Sequence, residues 1–362
     1  MEYTCHPMVA IKLIEREVCH LKKHIDKYSG RKIAIFAAGN YGERFYHILK
    51  TDFGIDAEFF IDNNPKFTNG GKVCGKSVMF EPWKTDPDFT HKYFILIATK
   101  ATWVEEISAQ LDKVGVPCIS SDAYTVTLLW ERVKNIVRLL DDDNSKTAYL
   151  GLMWYWLTHD ISLCQSSGEL YFNIKFFSSA FHEIIADVGA YVGDTLEEYV
   201  RRSLGNCKIY AFEPDDANRA ALELRLKRLK SEWRMNHDDL IVIPAAVGAQ
   251  TGNVCFKEIS MASYISDTGE KNIEIYTLDD FFKDKLSPSL IKADIEGEEQ
   301  NMISGAAKLI KNHKPKMAIS IYHDPTDFVK LPEMIKELNV SYNFAVRTHS
   351  SCYEDTVLYC YV

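Results

Sequence analysis

Apolar residues at Ile11, Ile14, Val18, Leu21 and Ile25 recur at helical spacing between charged positions, so residues 1–30 predict a lead-in helix that packs by one face. From residue 31 the pattern changes. "KIAIF" reads as a strand, "AAGNYG" as a turn and "ERFYHILKT" as a helix. "DAEFFIDNNP", "KYFILIAT" and "VPCIS" read as further strands, with "TWVEEISAQLDKVG" a helix before the last. This alternation predicts a small parallel sheet, helices on both faces, over residues 31–122. Residues 123–180 keep a helical period around the acidic break Asp141-Asp142-Asp143 and read as a helical connector, with Asn144 or Ser145 as a cap.

A second alternating region fills residues 181–362. Its strand candidates are "EIIADVG", "KIYAFEP", "LIVIPAAVG", "LIKADIEG", "KPKMAISIYH", "YNFAVRTHS" and "DTVLYCYV". Only "SCYE" separates the last two, so they pair as an antiparallel hairpin. The expected architecture is a doubly wound, mostly parallel sheet with one reversed strand.

Composition changes this picture little but excludes several functions. The chain has 362 residues, 46% hydrophobic and 26% charged, and a net charge of −9. That balance speaks against non-specific nucleic-acid binding, which rests on a positive field. No run of about 18 apolar residues occurs, so no membrane span is expected. Nine cysteines without a C-x-x-C pair read as reduced thiols, and the charged N-terminus does not read as a signal peptide. A cytoplasmic location is the expectation.

The chemistry concentrates in "ADVGAYVGDT", a strand end and glycine turn leading into a helix. Asp187 stands where a dinucleotide site would bring phosphates, and Asp194 opens the following helix. S-adenosylmethionine carries no phosphate but has a sulfonium, an ammonium, a carboxylate and a ribose. Asp187 is expected to draw in the cationic end, while backbone N–H groups near Gly189, Ala190, Tyr191 and Gly193 receive the carboxylate. Thr195 begins the helix beside Asp194. Glu213, before Pro214 at the end of the next strand, is placed to accept from the ribose hydroxyls. Ala245-Ala246-Val247 is expected along the adenine edge.

These blocks resemble the FkbM-type S-adenosylmethionine-dependent methyltransferases: "DVGAYVGDT", "IYAFEPDDAN", "PAAVG", "YTLDDFF", "IKADIEGEEQNMISGA" and "PKMAISIYH" occur in the family's order. The resemblance covers residues 170–362 and implies the class I methyltransferase fold, here preceded by a Rossmann-like domain. It implies O-methylation of a hydroxyl, often on sugars or secondary metabolites, with a small-molecule or glycan-precursor acceptor. Two positions depart from the family: Tyr191 stands where Asn is common, and the small-polar loop survives only as "MASYISDTG", with Ser263.

Methyl transfer to oxygen needs a base at the carboxyl edge of the sheet. Asp294, Glu296, His323, Arg347 and His349 all end strands there. His323 or Glu296 is the expected base, with Asp294 holding the cofactor or shaping the turn. Asp294, Glu296, His323 and His349 are also ligand types for a divalent ion that could hold two acceptor oxygens of a diol, an alternative that nothing in the spacing demands. The first domain repeats a dinucleotide layout, with Ala37 in place of the first glycine and Asp62 downstream. It leaves open a nucleotide or nucleotide-sugar ligand, and with it an NAD(P)-dependent sugar-modifying activity. A cofactor-binding regulatory module without turnover, and homo-oligomerisation, stay open as well.

Overall fold

A computed structural model describes residues 6–68, 70–164, 166–178, 181–257, 264–265 and 271–362. The chain divides into two compact units, one of residues 1–133 and 150–163, the other of residues 134–149 and 164–362. The residues of the expected connector form two helices, Ser121–Leu139 and Asp143–Thr158, and each helix runs across a boundary between the units.

In the first unit, the helix Pro7–Lys27 buries Ala10, Ile14, Val18 and Ile25, one stripe at helical spacing. Six strands follow: β1 (Lys32–Phe36), β2 (Phe60–Ile61), β3 (Lys72–Val73), β4 (Lys76–Met79), β5 (Tyr93–Ile97) and β6 (Cys118–Ser120). Their order is β3-β4-β2-β1-β5-β6, parallel except for the β3–β4 hairpin. That hairpin is too short to show as an alternating run in the sequence. β1 and β5 are apolar at nearly every position because helices cover both faces.

The second unit contains a seven-stranded sheet. Its members are β7 (Ile184–Val188), β8 (Lys208–Phe212), β9 (Leu240–Ile243), β14 (Leu290–Ala293), β15 (Lys316–Ser320), β16 (Asn343–Thr348) and β17 (Thr356–Tyr361). The order is β16-β17-β15-β14-β7-β8-β9. β17 inserts antiparallel between β15 and β16, as the short "SCYE" link requires. The chain moves outward from β7 through β8 to β9, then returns to β14 on the other side. The carboxyl ends of β7, β8 and β14 therefore border a topological switch point, where open α/β sheets bind ligands.

One expectation is corrected here. "LIVIPAAVG" is not a single strand. Pro244, which has no N–H to give a ladder, separates β9 from β10 (Ala245–Val247). β10 joins a four-stranded sheet with β11 (Gly252–Lys257), β12 (Tyr264–Ile265) and β13 (Lys271–Tyr276), in the order β10-β13-β11-β12. This second sheet carries Ala246 and Val247 to the ligand edge of the first.

Candidate active site

The turn after β7 is fixed by close approach. Gly189 has φ of +77°, and a Cβ on it would stand 2.0 Å from the carbonyl oxygen of Asp294. Only glycine lets the turn lie against the end of β14. The amides of Gly189 and Ala190 donate to the carbonyl of Phe212 at 3.1 and 3.0 Å, and the amide of Gly193 to that of Ala190 at 2.8 Å. The amide of Tyr191 donates to Glu213 Oε2 at 2.8 Å. These four N–H groups, expected to receive a ligand carboxylate, are engaged within the protein instead: three tie the turn to the end of β8 and that of Gly193 closes the turn on itself. Tyr191 has φ of +49°, left-handed backbone that Asn tolerates more readily than Tyr.

Glu213 is buried at the tip of β8, and its Oε1 accepts from the amide of Asp215 at 2.9 Å. Burial lifts its carboxyl to about 7, against the pull of the Asp215 and Tyr191 amides and the Asn218 side chain.

Asp187 is placed differently from expectation. It is fully buried behind the turn and does not reach the ligand cavity. Its partner is Lys292, paired with it in register across β7 and β14, with Nζ 3.2 Å from Oδ1. Lys292 also donates to the carbonyl of Gly189. Burial pushes the Asp187 carboxyl up and Lys292 opposes it. Burial would lower the Lys292 ammonium, but Asp187 and Asp294 outweigh that and raise it. Sequence reasoning missed Lys292, although a lysine inside the buried run Leu290–Ala293 is itself a signal.

A cavity of about 330 Å³ opens over these elements. One end is bounded by Gly189, Tyr191, Asp194, Thr195, Glu213, Pro214, Ala246 and Val247, with Phe212 and Phe256 as apolar wall. The other end is acidic: Asp294, Glu296, Glu298 and Asp355 line it, with Tyr171, Tyr322 and Lys292. Ala190 and Gly193 shape the turn without lining the cavity, and Ser263 lies outside the described residues.

The acidic end is organised by three side chains that sequence reasoning did not single out. Tyr171 donates to Asp294 Oδ2 at 2.9 Å, and Tyr322 to Oδ1 at 3.4 Å. Glu299 opens the helix Glu299–Gly305 and accepts from the amides of Ile295 and Gly297, both at 3.0 Å, which closes the turn after β14. Within that turn Glu296 has φ of +57°, a strained position at the cavity mouth. Burial alone would raise the Asp294 carboxyl, yet His323 and Lys292 hold it below its ordinary value.

His323 lies behind the acidic wall. Its Nδ1 is 2.9 Å from Glu299 Oε1, and its Nε2 is 3.5 Å from Asp294 Oδ1 and 3.6 Å from Glu296 Oε1. Burial disfavours its charge, but Glu299, Asp294 and Glu296 overcome this and lift the imidazole to about 9. The ring holds its proton at neutral pH, which does not suit the expected role of base. His349 and Arg347 do not join it. His349 is engaged by the carbonyl of Gly168 and the hydroxyl of Tyr359, and Arg347 by Asp142 and Ser145.

Residues 187–345 match the model of the methyltransferase FkbM domain. Among solved structures, the methyltransferase FkbM from Methylobacillus flagellatus KT matches 98% of this chain and 100% of its own. Its TM-score is 0.60 at 20% identity. The precorrin-6y C5,15-methyltransferase from Geobacter metallireducens GS-15 matches 50% of this chain and 79% of its own, with TM-score 0.31 and 13% identity. Aeropyrum pernix fibrillarin matches 51% and 68%, with TM-score 0.32 and 11% identity. No curated protein matches the sequence. The likeness to the Methylobacillus flagellatus structure, with the sheet order described above, shows the α/β methyltransferase fold.

Proposed function

We infer that this chain, whose residues 187–345 match the FkbM methyltransferase domain, binds S-adenosylmethionine at the glycine turn and methylates a hydroxyl oxygen. The observation that carries this is a single cavity joining the Glu213 end to the acidic end. The chain's groups fit the cofactor part by part. Glu213 faces the ribose hydroxyls, and Ala246, Val247, Phe212 and Phe256 flank the adenine. Asp194 suits the ammonium, and Lys292 suits the carboxylate in place of the amides that the turn consumes. When bound, S-adenosylmethionine supplies a methyl carbon that forms its new bond to the acceptor oxygen as the C–S bond breaks, its electron pair staying on sulfur.

The proton released from the acceptor hydroxyl passes to Glu296. Its side chain is 33% exposed, against 4% for His323, so an acceptor reaches the carboxylate directly. Carboxylates accept hydrogen bonds and repel anions, so Glu296, Glu298 and Asp355 favour a neutral polyhydroxyl acceptor, such as an unphosphorylated sugar or a secondary metabolite. We place the enzyme in the cytoplasm, consistent with its free described cysteines. The two-part reading, a methyltransferase domain at 181–362 after a Rossmann-like domain at 31–122, belongs to the same proposal.

The test is transfer of a labelled methyl group to a panel of polyhydroxyl acceptors. Glu296→Gln should lower turnover by about 10²-fold or more while S-adenosylhomocysteine affinity stays within a few-fold. Binding without transfer to any acceptor would instead favour a regulatory module that keeps the cofactor.

A further inference from the structure

We infer that Asp294, Glu296 and His323 bind a divalent transition-metal ion at the acidic end of the cavity, where it receives an oxygen of the acceptor. The inference rests on the methyl-transfer reading for the identity of that oxygen, but the ion site stands on its own geometry. Spacing along the chain does not demand an ion; the arrangement in space is what argues for one.

His323 Nε2 is the central observation. The side chain is 4% exposed, and this nitrogen has no hydrogen-bond partner. It is aimed between Asp294 Oδ1 at 3.5 Å and Glu296 Oε1 at 3.6 Å. Both separations exceed those of charge-assisted hydrogen bonds, about 2.7–2.9 Å. They match two ligand atoms that share one ion: bonds of about 2.1 Å at a tetrahedral angle put nitrogen and oxygen roughly 3.4 Å apart.

The surroundings orient the ligands. The ligand atoms that all lie within 4.8 Å of one another are those of Asp294, Glu299 and His323, and Glu296 joins this cluster through His323 Nε2. Glu299 is committed, however, to the amides of Ile295 and Gly297 and to His323 Nδ1. It therefore acts as the carboxylate behind a ligating histidine, fixing the ring and presenting Nε2, which releases its proton to solvent as the ion binds. Tyr171 holds Asp294 Oδ2 and leaves Oδ1 towards the imidazole. One imidazole with two carboxylates suits a first-row divalent ion better than calcium or magnesium. Positions not filled by protein face the cavity, where one hydroxyl or the paired oxygens of a vicinal diol would enter. The acceptor proton still leaves through Glu296, on the carboxylate oxygen not bound to the ion.

The experiment is electron paramagnetic resonance titration of the full chain, stripped with a chelator, using Mn²⁺ alone. S-adenosylhomocysteine binding is measured separately on the same samples. The expected result is saturable binding of one Mn²⁺ per chain, weakened at least about tenfold in both His323→Gln and Glu299→Gln. Should His323→Gln not fold, Glu296→Gln on the open side of the cluster takes its place. Absence of binding at millimolar Mn²⁺, or binding unchanged by these substitutions, overturns the ion site. Intact S-adenosylhomocysteine binding in that case leaves the methyl-transfer reading standing, whereas its loss with Mn²⁺ binding retained would sink that reading alone.

Discussion

Lys292 puts an ammonium into a strand otherwise closed to water, and Asp187 across the ladder is its counter-charge. Removing one partner leaves the other charged and buried, which costs far more than the pair contributes. Lys292→Met should destabilise the protein by about 3–5 kcal/mol in urea unfolding, and Asp187→Leu with Lys292→Met should recover much of the loss. A double variant no better than the single one would show that Asp187 does not depend on Lys292. Glu213 supports a pH prediction. Its carboxyl is lifted to about 7 by burial, with Asp215, Asn218 and the Tyr191 amide around it. In the cofactor-free fold this contributes stability below the unfolded carboxylate value, lost as pH rises through about 7. Ribose hydroxyls donating to Glu213 favour its charged form, so binding expels a proton. S-adenosylhomocysteine affinity should therefore rise between pH 5 and pH 7 and then level off. Calorimetry in buffers of different ionisation heat measures that proton release, and Glu213→Gln should abolish it.

The elements differ in how far the sequence revealed them. The glycine turn, the acid closing β8 and the final hairpin were legible because each has a local cause: a φ that only glycine meets readily, a proline ending a strand, a four-residue link. The four-stranded sheet was not. Its strands pair across stretches far apart in sequence, and the break at Pro244 interrupts an apolar run that otherwise reads as one strand. Direction was lost as well as pairing. From their strand-end positions Asp187 and His323 read as cofactor and base residues, but nothing local tells whether such a side chain faces the cavity or the far wall. Glu299 escaped notice for a related reason. It resembles a solvated acid in "EGEEQ", and only the fold brings it beneath His323 and the amides of the β14 turn.

For the whole molecule, two glycine turns compete as the cofactor site, one in each unit. In the first unit Asp62 holds its own loop, with Oδ2 accepting from the Ala38 amide at 2.8 Å and Oδ1 from the Asn64 amide at 2.8 Å, as Glu213 does in the second, so this acid does not separate the two turns. Ala37 has φ of +96°, and its carbonyl oxygen would lie 1.9 Å from a Cβ at Gly42, so this turn packs on itself. Among the described residues no helix is long and apolar enough to cross a membrane. The central claim is that the turn of the second unit holds S-adenosylmethionine. Calorimetric titration of the full chain with S-adenosylhomocysteine, NAD and NADP in parallel, repeated on Glu213→Ala, tests it most directly. The account predicts one-to-one binding of S-adenosylhomocysteine, weakened at least about tenfold by the substitution, with no heat from either dinucleotide. Binding of NAD or NADP without S-adenosylhomocysteine would contradict it and move the cofactor to the first unit.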